Sequence, residues 1–257
     1  MPVSKNVRVL ILSDIHSNLE ALEACLAAAP PYDSVVNLGD LVGYGASPNE
    51  VVERSRGLGK FFVRGNHDKA AVGLIDIKDF NPMAGIAALW TRNALAANNL
   101  EWLHGLPQGP RQLDDLPGVQ FVHGSPFDED EYVINVRDAA YPLASTLVPL
   151  TFFGHTHLQG CFLLKDAAAE AFYPPYRTVG QAETTEFPLK QGIRYLVNPG
   201  SVGQPRDGDW RAAFAVFDTE AQVVTFCRVP YNLQAAQERI LGANLPQRLA
   251  TRLAAGR

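Results

Sequence analysis

The sequence predicts an α/β protein whose first half builds a parallel sheet and whose second half adds antiparallel strands or a second sheet. Three observations carry that expectation. Short β-branched runs recur, and each stops abruptly at a polar residue; helical patterns separate the early runs; after about residue 158 the strand-like runs follow one another without long helices between them. The chain has 257 residues, 47% hydrophobic and 19% charged, with 21 Gly and 18 Pro. That composition excludes disordered, collagen-like and coiled-coil chains. Single α/β units of this length are common, so one domain over 1–257 is the expectation.

The first strands are expected over residues 7–12, 34–38, 61–63, 119–122, 150–153 and 195–197. Near-continuous apolar runs of this length fit strands covered on both faces. A helix over 18–29 places Leu19, Leu22 and Leu26 on one stripe, with Ser17 or Asn18 as cap and Pro30 as stop. A second helix over 48–56 opens with Ser47 as cap and Pro48 in its first turn. Further helices are expected over 83–97 and 137–147. The β-α-β-α-β order implies right-handed crossovers, and in such sheets the chemistry gathers at the carboxyl ends of the strands. Later strands are expected over 159–164, 192–197, 212–217 and 223–229, with an extended loop or irregular hairpin over 165–190. Residues 231–257 read as one or two helices broken near Pro246.

A formal net charge of -5 argues against a surface that neutralises duplex nucleic acid. The cysteines Cys25, Cys161 and Cys227 form no C-x-x-C pair and read as small buried hydrophobes of a reducing compartment. Residues 1–6 lack the h-region of a signal peptide, and no apolar run is long enough to span a bilayer. The expectation is a cytoplasmic protein with no membrane partner.

The polar strand ends carry the chemistry. They hold Asp14 and His16, Asp40, Asn66, His123, then His155 and His157. Singly each has an ordinary explanation, since an Asp after a strand often caps a helix. Of six histidines, however, five fall at strand ends and only His104, an expected helix-end residue, does not. If the ends converge, Asp14, His16 and His157 could hold one divalent ion and Asn66, His123 and His155 a second, with Asp40 bridging. Imidazole and carboxylate donors suit Mn, Fe, Co, Ni or Zn better than Ca or Mg. Two such ions with two carboxylates leave about +2 on the site, which suits a phosphate ester and an activated shared water.

In order along the chain, Asp14-x-His16, Gly39-Asp40, Gly65-Asn66-His67-Asp68, His123-Gly124 and Gly154-His155-Thr156-His157 resemble the motif set of the calcineurin-like metallophosphoesterase superfamily. The resemblance spans residues 14–157 with every metal-ligand position filled. It implies a four-layer α/β/β/α sandwich with two mixed sheets and a dinuclear metal site at the strand ends. It also implies that His67 is no ligand but lies beside the substrate, oriented by Asp68; an imidazolium there can donate to the leaving-group oxygen or to the developing phosphorane charge. The stretches 14–18, 39–45 and 198–207 resemble the small bacterial phosphodiesterase-like members, some of which cleave dinucleoside polyphosphates. Gly43-Tyr44-Gly45 departs from the Asp-Arg-Gly of the protein Ser/Thr phosphatases.

The resulting expectation is hydrolysis of a P–O bond in a small phosphodiester or nucleotide by a metal-bridging hydroxide. A phosphomonoesterase or protein phosphatase on the same site, and a non-catalytic interaction module, are the alternatives. Among flanking residues, Tyr44 either stacks on a nucleobase or packs in its turn, and Arg206 either touches a distal phosphate or pairs with Asp207 or Asp209. Asn18 binds a phosphoryl oxygen, caps its helix, or does both. The acidic run 128–131 reads as a solvated loop near the mouth that limits polyanions. The basic tail with Arg239, Arg248, Arg252 and Arg257 is either a packed helix or the surface of a homo-oligomer.

Overall fold

The computed structural model describes residues 7–59 and 61–257; the reading of residues 1–6 lies outside them. Two mixed sheets face each other. The first runs β3 (Phe61–Phe62), β2 (Ser34–Asn37), β1 (Arg8–Leu12), β10 (Ala212–Asp218), β11 (Val223–Val229), β8 (Glu183–Pro188). The second runs β4 (Val119–Phe121), β5 (Leu150–Phe152), β9 (Arg194–Asn198), β6 (Gly160–Lys165), β7 (Ala168–Phe172). In each sheet three neighbouring strands are parallel, β1 to β3 and β4, β5, β9, and the remainder are antiparallel.

Strand alternation builds the layers. Val9 and Ile11 of β1 point inward and meet Phe121, Phe152, Val197, Phe217 and Phe226 between the sheets. Leu10 and Leu12 point outward with Phe214 and Val216, against Leu22 and Cys25 of α1 (Leu19–Ala28), Ile240 of α7 (Leu233–Gly242) and Leu249 and Leu253 of α8 (Gln247–Ala254). On the opposite face, Phe153, Phe162 and Leu196 lie under Ala139 and Leu143 of α6 (Val136–Ser145). This is the four-layer α/β/β/α sandwich. All three cysteines are buried and free, and no helix of the described residues is long and apolar enough to cross a membrane.

Several elements depart from expectation. The helix expected over 83–97 is two, α4 (Pro82–Ala94) and α5 (Ala97–His104), separated by an extended Leu95. Asn49 of α2 (Pro48–Arg56) causes the break: its amide donates to the Ala94 carbonyl and its oxygen accepts from the Ala96 N–H, each at 2.8 Å. A further helix, α3 (Asn66–Val72), starts directly on the Asn-His-Asp motif. The 165–190 stretch is in part the hairpin expected there and in part irregular, but it also holds a further strand. β6 and β7 form a hairpin whose two turn residues, Asp166 and Ala167, both have positive φ (49° and 64°), as a tight hairpin turn requires. β8 then crosses to the edge of the other sheet against β11. The break near Pro246 is present, with Pro246 at the N-cap of α8.

Candidate metal centre

The parallel strands of both sheets end at one place. Asp14 and His16 follow β1, Asp40 follows β2, and Asn66 opens α3 just after β3; His123 follows β4, and His155 and His157 follow β5. The loops are laced across strands, Asp14 N–H donating to Gly39 O and His16 N–H to Asp40 O, both at 3.0 Å. Asp14, His16, Asp40, His155 and His157 all adopt left-handed backbone, φ 50° to 67°. Each such residue costs on the order of 1 kcal/mol, and side chains held this way at one site mark a functional constraint. Gly65 has no room for a Cβ, which would run into the Asp40 carboxylate.

The side chains converge in two groups that share Asp40: Asp14, His16, Asp40 and His157, then Asp40, His123 and His155. His157 Nε2 is 3.2 Å from Asp14 Oδ1, and His16 Nε2 is 3.6 Å from Asp40 Oδ2. His123 Nε2 lies 3.4 Å from that same Oδ2. His16 and His157 approach Nε2 to Nε2 at 3.1 Å, and His155 Nδ1 comes within 3.1 Å of His123 Nε2. Each ring gives its other nitrogen to a main-chain carbonyl: His16 to Val42 at 3.1 Å, His123 to Leu38 at 2.8 Å, His157 to Gln204 at 2.6 Å and His155 to Asp130 at 3.1 Å. A carbonyl on one ring nitrogen fixes the tautomer and aims the other nitrogen inward, as metal-ligating histidines require. Asn66 lines the same cleft as His155, and its Oδ1, like Oδ1 of Asp14, is buried with no hydrogen-bond partner. The donor set fits divalent ions.

Electrostatics agree. Burial works against the charge on both carboxylates, yet His157 and His123 around Asp14, and His123, His67 and His16 around Asp40, hold them below the ordinary carboxylate range. Burial keeps His16 and His157 below their usual values and His155 at about 3. His123 is buried too, but Asp40 beside it pushes it up to about 10. Ionised carboxylates and mostly unprotonated nitrogens therefore face one another, an arrangement a cation relieves.

His67 sits at the wall of this cluster, its ring 4.9 Å from that of His16, 4.3 Å from Tyr44 and 4.9 Å from Phe80. Its main-chain N–H donates to Asp40 Oδ1 at 2.8 Å. Burial, with Arg206 adding to it, pushes the ring down to about 4. Asp68 does not orient it. Its carboxylate accepts from the N–H groups of Asp40, Val42 and Gly65 at 2.8, 3.2 and 3.0 Å, while His67 Nδ1 has no partner. Asp68 instead binds two site loops to the start of α3.

The flanking residues separate. Tyr44 is buried in a left-handed turn against His16 and His67. Asn18 is a cap: Oδ1 accepts from Ala21 N at 3.1 Å, and Nδ2 donates to Gly203 O at 2.9 Å. Arg206 does not take the ion pairs expected of it, because Asp207 pairs with Arg228 and Asp209 with Arg211. The acidic run is not simply solvated either. Glu129 binds Arg64 at 2.8 Å and Lys69 at 3.0 Å, and Asp130 binds Lys69 at 2.6 Å. That clamp fixes the carbonyl that holds His155. Lys69 and Arg64 were invisible as site residues because their partners lie some sixty positions away; Tyr132, 3.8 Å from the His155 ring, carried no signal beyond its place in the acidic loop.

A cleft of about 580 Å³ opens onto the cluster, lined by Tyr44, Asn66, His67, Phe80, Asp130, Tyr132 and His155 among others. The model of the calcineurin-like phosphoesterase superfamily domain matches residues 7–222. The uncharacterized protein MJ0912 of Methanocaldococcus jannaschii is 35% identical over 260 residues, 97% of this chain and 98% of its own. Among solved structures, a metallophosphoesterase from Sphaerobacter thermophilus is similar at 42% identity and a TM-score of 0.83, covering 98% of this chain and 100% of its own. The hypothetical protein PH1004 of Pyrococcus horikoshii OT3 has a similar fold, with a TM-score of 0.76 at 19% identity over 98% and 99% of the two chains. The family match takes in all six side chains of the two groups and Asn66, and this chain belongs to the calcineurin-like phosphoesterase superfamily.

Proposed function

We propose that the chain is a metal-dependent phosphoesterase that hydrolyses a P–O bond of small phosphodiesters or nucleotides. One observation carries this reading: four imidazoles rest one nitrogen on a carbonyl and turn the other toward Asp14 and Asp40, beside the unpartnered Oδ1 atoms of Asp14 and Asn66. Asp14, His16 and His157 would hold one ion and Asn66, His123 and His155 the other, with Asp40 shared. Their nitrogen and oxygen donors suit Mn, Fe, Co, Ni or Zn. Such ions, when bound, supply Lewis acidity for phosphoryl oxygens and an acidified water.

The chain's own residues do the rest. His67, fixed through its main-chain N–H and packed by Tyr44 and Phe80, would donate as an imidazolium to the leaving-group oxygen or to the charge developing on the phosphoryl group. Tyr44, Phe80 and Tyr132 give the cleft aromatic walls that suit a flat ester group such as a nucleobase. The cleft is of a size for small molecules, which favours a nucleotide over a protein substrate. His67 at the wall of the cleft favours catalysis over a binding module, and three buried free thiols favour a cytoplasmic setting.

Purified protein loaded with Mn(II), Ni(II), Co(II), Fe(II) or Zn(II) is expected to turn over bis-p-nitrophenyl phosphate or a diadenosine polyphosphate. Chelation is expected to abolish the activity and re-addition of metal to restore it. No turnover across a broad phosphoester panel with any of these metals would contradict the reading.

A further inference from the structure

Two arginines flank the Tyr44 ring beside this site, and neither pairs with an acidic side chain among the described residues. Arg206 Nη2 reaches Gln204 Oε1 at 3.0 Å and the Tyr44 hydroxyl at 3.4 Å. Its Nε is buried with no partner. Arg252, on α8, places its guanidinium carbon 5.6 Å from the centroid of the Tyr44 ring, and Arg206 lies 5.7 Å from the same centroid. Other arginines find acids even on the surface, Arg54 with Glu23 and Arg239 with Glu20. Arg206 does not, among the described residues, because Asp207 and Asp209 are taken by Arg228 and Arg211. Arg252 Nε donates to the Arg257 main-chain oxygen, which leaves its terminal amino groups for Tyr44 and whatever lies beyond it.

The scaffold holds this like-charged pair in place. Leu249 and Leu253 anchor α8 in the core, and Gly208 N–H donates to Gly256 O at 3.0 Å, tying the end of α8 to the loop that carries Arg206. Burial and Arg206 together make the Arg252 charge harder to sustain. Two cations kept close at partial burial repel, and a bound anion converts that cost into attraction. The ring both arginines touch lies 4.8 Å from the His16 ring and 4.3 Å from the His67 ring. Arg206 also acts on the Tyr132 phenol across the cleft.

We propose that Arg206 and Arg252 form a second anion subsite beside the metal centre, one that holds a phosphoryl group adjacent to the scissile phosphorus. The substrate class is then a nucleotide carrying at least two linked phosphoryl groups, in preference to one with a single phosphate. This rests on the phosphoesterase reading above and deepens it. The sequence left the basic tail as a packed helix or an oligomer surface; here one of its arginines turns to the site.

The test compares binding of AMP with that of adenosine 5′-(α,β-methylene)diphosphate, which cannot be cleaved between its phosphorus atoms, by calorimetry on the Mn(II)-loaded full chain. The diphosphate is expected to bind at least tenfold more tightly, since charge-assisted contacts are worth a tenfold factor or more. Arg206→Gln and Arg252→Gln should each erase most of that preference, and Arg252→Lys should retain part of it, with metal content as the check on folding. A diphosphate preference that survives both glutamine variants, or equal losses for the two nucleotides, overturns the subsite. A chain that hydrolyses phosphoesters without an arginine-dependent preference contradicts the subsite alone. One that shows the preference but hydrolyses none contradicts the phosphoesterase reading alone.

Discussion

His67 is held in place by its surroundings and by its own backbone, not by a side-chain partner. Asp40 takes its main-chain N–H, Tyr44 and Phe80 flank the ring, and Nδ1 is left unpaired. Removing the ring should therefore spare the metal ligands. His67→Ala is expected to keep its ions and lower kcat by on the order of 10²-fold, the usual range for a lost proton donor, as read by steady-state kinetics alongside metal analysis. Unchanged turnover would remove His67 from the mechanism. At this scale the six clustered side chains and Asn66 were legible because residue type and strand-end position coincide. Asp68 was not: its three N–H donors come from Asp40, Val42 and Gly65, and only the folded loops bring them together. The missing acid at Arg206 was hidden because Asp207 pairs with Arg228 of β11 and Asp209 with Arg211 two residues on.

Elements were legible where hydrophobic period and caps agree, and illegible where a distant residue decides. α1 and α2 lie where Asn18 and Pro48 place their starts. The split between α4 and α5 depends on Asn49, forty-odd positions upstream. β8 alternates half-buried and exposed residues with no continuous apolar run, so its place in the first sheet comes from its neighbours. Glu183 at its start accepts from the Arg177 and Thr178 N–H groups and from Arg211 Nη1 at 2.9 Å. These contacts bring its carboxyl from an ordinary 4.5 to about 2. The folded value is the lower one, so this contribution to stability is full above pH 4.5 and lost as pH falls toward 2. In urea titrations, Glu183→Gln should be less stable than the parent at pH 6, and the gap should close on acidification. A gap independent of pH would show that the carboxylate is not what ties β8 down.

At the scale of the whole molecule, neither sheet owns the site. The first supplies Asp14, His16, Asp40 and Asn66; the second supplies His123, His155 and His157. His155 N–H donates to Asp14 Oδ2 at 3.1 Å across the gap, and His16 meets His157 there. The inner core of Val9, Ile11, Phe121, Phe152 and Phe217 thereby sets the separation of the two ligand groups. The two textures of the sequence pointed to an antiparallel section or a second sheet, and it took the family resemblance to give two mixed sheets, because strand direction beyond the first crossovers depends on pairing partners far along the chain.

The claim that joins these scales is that both sheets together hold two divalent ions with Asp40 between them. Loading with Mn(II), gel filtration and elemental analysis tests it most directly. Two ions per chain are predicted, falling to one in a His123→Ala/His155→Ala variant that keeps Asp14, His16, Asp40 and His157; a single ion or none in the parent protein would contradict the account.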